Sequence, residues 1–168
     1  MPRVRIDISG LDYLERQLTL LSKEATTVAA RAVYAGAGVA ADALRGAVEG
    51  LHRVPDVVAM GAWRKGVPST LSVSQKNGLR EGLGIAPFKF LSSSVNTKVG
   101  FSGYNSVRTK RWPNGQPNQV IAAVVNHGNS NTMQRQPFIT VTAESEASNI
   151  RVAMIKAATE KITEILES

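Results

Sequence analysis

Apolar residues recur every three or four positions over the first third of the chain: Leu11, Leu14, Leu18, Leu21, Ala25, Val28, Ala32, Ala35 and Val39. That period lines them up on one stripe of an α-helix. Carried on to Glu49, such a helix is about 58 Å long at ~1.5 Å per residue. Gly36 and Gly38 are expected to bend it, each costing roughly 1 kcal/mol relative to Ala. The stripe changes from leucine to alanine along its length, and small side chains let a second helix come close. Two uses stay open for it: an internal core contact, or a seam shared with a neighbouring subunit. Ahead of it, Val4, Ile6 and Ile8 alternate with Arg5 and Asp7 as in a short strand. Ser9 then reads as an N-cap with Asp12 reaching back.

The period changes after residue 50. Pro55, Gly61, Gly66 and Pro68, with Ser and Thr at 69, 70, 72 and 74, read as an extended loop over 51–78. Leu79 to Phe90 is expected to hold a strand, with Leu83, Ile85 and Phe88 as its apolar positions. Val95, Thr97, Val99 and Phe101 alternate with polar residues or glycine and read as another. Residues 103–118 read as a second loop, Val120 to Val125 as a short central strand, and 126–137 as a third loop. Thr142 or Ser145 then caps a last helix, with Glu144 and Glu146 in its first turn. Its apolar steps are Ala147, Ile150, Met154, Ile155, Ala158, Ile162 and Ile165. The order predicts one α+β domain over residues 1–168. A small, mainly antiparallel sheet with long basic loops (51–140) is packed by a long N-terminal helix (1–50) and a C-terminal helix (141–168).

Charge follows the same division. Lys and Arg balance Asp and Glu over 1–50, exceed them by nine over 51–140, and fall short by two over 141–168. One region is built to meet something, and the helical ends are built to hold it. Aromatic content is only 5%, so the core leans on Ala, Val, Leu and Ile and gains from burial against neighbouring subunits. With no Cys, disulfides and thiolate chemistry are excluded. The N-terminal segment lacks the apolar core of a secretory signal. No apolar run reaches the ~18–20 residues of a membrane span. A soluble protein with no membrane partner is expected.

Reactive groups are hard to find. His52 and His127 stand 75 positions apart with no carboxylates grouped near them, so no metal or cofactor site is expected. There is no nucleophile elbow, no phosphate loop and no paired acid and base; the middle holds only Asp56 and Glu81. The sequence therefore reads as a protein of contact, not an enzyme. The candidate interface residues are Arg64, Lys65, Arg108, Lys110, Arg111 and Trp112. Three cations beside an aromatic ring at 108–112 also suit phosphate and base, which makes a small basic nucleic-acid-binding protein the alternative.

Five short segments occur in an order that resembles the neck or tail-completion proteins of long-tailed bacteriophages, a family often described as minor tail components. They are 77–85 (NGLREGLGI), 99–104 (VGFSGY), 113–118 (PNGQPN), 124–130 (VVNHGNS) and 136–139 (QPFI). The matching positions include Gly78, Leu79, Arg80, Gly100, Gly103, Tyr104, Gly128, Pro137 and Phe138. Asn126 stands where that family usually has Glu, and Asn129 where it usually has Thr. The glycines are expected at turns or close backbone approaches. Pro137 sets the start of the final helix, Phe138 fixes that helix on the sheet, and Arg80 is a solvated strand-edge charge or pairs with another subunit. The resemblance implies a structural virion protein of the neck or collar, assembled as a homo-oligomeric ring. Its partners would be a head-side connector or head-closure protein and tail terminator or tube proteins, with packaged DNA nearby. It would reside in the virion, and in host cytoplasm during assembly.

Overall fold

The computed structural model describes residues 9–91 and 94–167, with side chains from Tyr13 onward. The strand expected at Val4–Ile8 and the side-chain caps expected of Ser9 and Asp12 lie outside the described residues. Helix α1 spans Ser9–Glu49 and runs through Gly36 and Gly38 without a break. Helix α5, Phe138–Leu166, packs along it. At Gly36 the two come so close that an added Cβ would sit 2.6 Å from Met154 Cγ. The alanine-rich half of the stripe does admit a second helix. Together the two helices form the spine of an α+β fold.

The core lies at the C-terminal end of α1. Leu44, Val48 and Leu51 meet Leu71, Leu79, Ile121, Ala122, Val125, Met133 and Phe138 there. Phe138 stands edge-on to Phe101 with ring centroids 5.8 Å apart, which fixes the start of α5 as expected.

Residues 51–78 are not an extended loop. Strand β1 (Arg53–Val54) pairs in parallel with β2 (Leu71–Ser72), and α2 (Asp56–Arg64) and α3 (Val73–Gly82) follow them. Pro55 costs α2 nothing, because the first helical N–H groups have no intrahelical partner. Ser72 and Gln75 form a reciprocal capping box that starts α3. The Asp56 carboxylate ties the two helices together, accepting from the Ser74 N–H at 3.0 Å and the Ser74 hydroxyl at 2.5 Å. Partial burial pushes the Asp56 carboxyl up, but these bonds and the Ser72 hydroxyl outweigh it and hold the group below its ordinary value.

A hairpin follows. Its base is β3 (Leu83–Ile85) against β6 (Val99–Phe101), and its outer half is β4 (Lys89–Leu91) against β5 (Ser94–Asn96), both antiparallel. The single strand expected over 95–101 is thus two, and the strand expected from Leu79 begins only at Leu83. Between the ladders the outgoing chain takes four steps, Ile85 to Lys89, while the returning chain takes three, Val99 to Asn96. That mismatch is a bulge around Pro87 and Phe88, where proline's missing N–H does no harm. The outer half leans on α1 through Phe88, 6.2 Å from the Tyr34 ring.

The expected central strand at Val120–Val125 is helix α4, Asn118–His127. Asn118, Ile121, Ala122, Val125 and Asn126 are its buried residues, spaced for one helical face and not for a strand. Helix α5 begins at Phe138, not at Thr142 or Ser145, and its first turn holds no acidic residue, so Glu144 and Glu146 lie further in. Pro137 does stand at the boundary.

Candidate interaction surface

The matched segments converge in space. Gly78 and Gly82 share one face of α3, and Asn105 and Asn118 press against it. A Cβ at Gly78 would lie 2.5 Å from Asn105 Cβ and from Asn118 Oδ1. Asn118 Nδ2 donates to the Ser102 carbonyl at 2.8 Å, and its backbone N–H donates to the Gly103 carbonyl at 3.0 Å. Gln75 Nε2 donates to Gln116 Oε1 at 2.7 Å. Segments 77–85, 99–104 and 113–118 thus form one polar knot under the hairpin base.

The remaining two segments form a corner. Asn126, 3% exposed, accepts from the backbone N–H groups of Ile139 at 2.9 Å and Thr140 at 3.1 Å through Oδ1. Its Nδ2 donates to the Thr140 hydroxyl at 3.0 Å. A side chain at the end of α4 therefore caps the start of α5 and satisfies two of its free donors. An amide does this as well as a carboxylate, which gives Asn126 a structural role despite its departure from the resembled pattern.

The glycines divide. Gly103 and Gly128 have positive φ, +72° and +79°. Gly78 is helical and serves close approach, while Gly100 is in a strand with open space at its Cβ position, so neither expectation holds there. Arg80 lies in the last turn of α3, not at a strand edge, and is exposed with no ion pair among the described residues. Tyr104 is exposed, its backbone bridging Pro117.

Ten of the eleven Lys and Arg residues in 51–140 are exposed, so the basic surface is real. The eleventh, Lys76, is 6% exposed. Its Nζ donates to the carbonyls of Glu49 at 2.6 Å and Leu51 at 3.1 Å, closing the C-terminus of α1. Arg64 and Lys65 end α2. Arg108, Lys110 and Arg111 are exposed on a separate loop. The Arg111 guanidinium carbon sits 5.3 Å from the centroid of its half-buried neighbour, Trp112, a cation–π contact that occupies one ring face.

Apolar surface is also left bare. Leu14 and Leu18 on α1 are 51% and 57% exposed, and Phe90 and Leu91 on the hairpin about as much. An open groove of about 780 Å³ runs beside the hairpin base, lined by Leu44, Ile85, Phe101, Ala122, His127 and Ile139 among others. Among the described residues no three His, Cys, Asp or Glu side chains group as for a metal ion. No helix there is long and apolar enough to cross a membrane. His52 and His127 are both exposed. No family model, curated protein or solved structure matches this chain.

Proposed function

We propose that this protein is a structural part of a larger assembly, of the neck or tail-completion kind its motif series resembles. It would join as one subunit of a homo-oligomeric ring between a head connector and a tail. One observation carries the reading. The α1 stripe that holds α5 continues past the end of α5 with leucines open to water. Large apolar side chains left uncovered along a helix stripe mark a contact surface. The exposed hairpin residues Phe90 and Leu91 and the basic surface of 51–140 add to it. Charge of that kind speeds encounter with an acidic partner and selects among partners.

The nucleic-acid alternative has less support, because Arg111 already covers one face of Trp112. The test is assembly. Purified chain, alone and mixed with head-connector and tail fractions, is followed by sedimentation and negative-stain imaging. Closed rings, or stable joining to either fraction, are expected. A monomer that joins neither at any concentration overturns the proposal.

A further inference from the structure

Two helical stripes on this chain are left bare. The first is the free end of α1. Helix α5 runs antiparallel to α1 and meets Gly36 at Met154. Leu166, twelve residues beyond Met154, therefore lies opposite about residue 24 of α1. From Ser9 to Lys23, roughly 21 Å of helix, α1 continues past its partner. Leu14 and Leu18 lie on the same face as Ala32 and Gly36, so this end is an unfinished helix–helix seam.

The second stripe is the outer face of α5, opposite the side that packs on α1. It runs Val141, Ser145, Ser148, Val152, Ile155 and Thr159, stepping by four and three alternately without a charge. All six are exposed, with Val141 at 55%, Val152 at 61% and Ile155 at 60%. This second face of α5 carries no charge and holds three large apolar side chains in water, a surface that favours a cover. From Val141 to Thr159 the stripe is roughly 27 Å long.

We infer that the free end of α1 in one copy packs along the outer face of α5 in the next. The α5 stripe is long enough to take the whole free end of α1, which continues the seam that already packs on α5, and both alternate by three and four, the spacing that lets helices interlock. The chain cannot satisfy itself, because the outer face of α5 points away from its own α1. The two surfaces differ, and placed head-to-tail every copy keeps one free stripe of each kind until a ring closes; a reciprocal pair would instead stop at a doubly cross-linked dimer with no ladder. Four helical turns form a small contact against the ~800 Å² per partner of a standard stable interface. A lone pair is therefore weak, while a closed ring gains two contacts per subunit.

This contact rests on the assembly reading above. The absence of native cysteine makes cross-linking clean. Chains carrying Leu18→Cys or Val152→Cys are oxidised mildly, separately and as an equal mixture, and run on non-reducing gels. The mixture is expected to give cross-linked dimers and each variant alone none, with a Leu18→Cys/Val152→Cys chain giving a ladder. Leu18→Cys joining to itself would overturn the head-to-tail contact. Rings with no cross-link would sink this contact and leave the assembly reading standing; no assembly with any partner fraction would sink both. The variant Leu14→Asp/Leu18→Asp should fall back to monomer with unchanged helical circular dichroism and a melting temperature within about 2 °C of the parent. A large loss of melting temperature would mean that the leucines serve the monomer's own fold.

Discussion

The two ends of α1 differ in what covers them. Toward Glu49, Ala32, Ala37, Ala41, Leu44 and Val48 are buried, and a glycine admits α5. Toward Ser9 the residues are larger and more apolar, yet Leu14 and Leu18 face water. Side-chain size alone would place the core at the leucine end. The core sits at the other end because three further elements, α3, α4 and the start of α5, gather there. Hydrophobicity shows that a surface wants a partner; the rest of the chain decides whether the partner lies within the same molecule.

The sharpest way to break that contrast is a pair of truncations. Leu44→Ala should cost about 3 kcal/mol in urea unfolding, as core truncations do. Leu18→Ala should change stability by less than ~0.5 kcal/mol. Equal losses would mean that the free end is covered in the monomer. Next, Lys76→Met should cost about 2 kcal/mol, because two carbonyls at the packed end lose their donor. The same exchange at Lys23 should be silent, and a silent Lys76→Met would remove the cap from the account. Gly36→Leu should cost about 1–3 kcal/mol by forcing the helices apart at Met154, whereas Gly38→Leu, with open space at its Cβ position, should not destabilise.

Smallest is the Asp56 tie. A carboxyl held below its ordinary value of 3.8 adds stability that is full above that pH and is lost as pH falls through the lowered value. Asp56→Ala should cost on the order of 1 kcal/mol at pH 7, and less with each step below pH 3.8. Urea midpoints measured across pH 2–6 check it; a gap between the two proteins that widened in acid would contradict it.

How far the sequence could be read depended on where its signals lay. Helix α1 was clear from its own period, and so were Pro137 and Phe138 at the start of α5. Helix α4 was misread because Val120, Ile121, Val124 and Val125 are β-branched, and propensity outweighed a spacing that also fits a helix. Helix α3 was missed although Ser72 and Gln75 announce it, because its own residues are mostly polar. The site was only partly visible. Arg108, Lys110 and Arg111 are exposed, but nothing in the sequence sets Lys76 apart from the other cations of 51–140. Its burial depends on where α1 ends, more than twenty residues away. The outer stripe of α5 was hidden for a related reason: apolar residues on both faces blur the single stripe that a reader looks for.

The corner made by Asn126 behaves unlike the one made by Asp56. An amide takes up no proton in mild acid, so the brace at the head of α5 carries no acid-labile group of its own. As acidity rises, the two short helices α2 and α3 should let go of each other first. The long spine should keep its starting point, and hydrogen exchange at low pH would show that order.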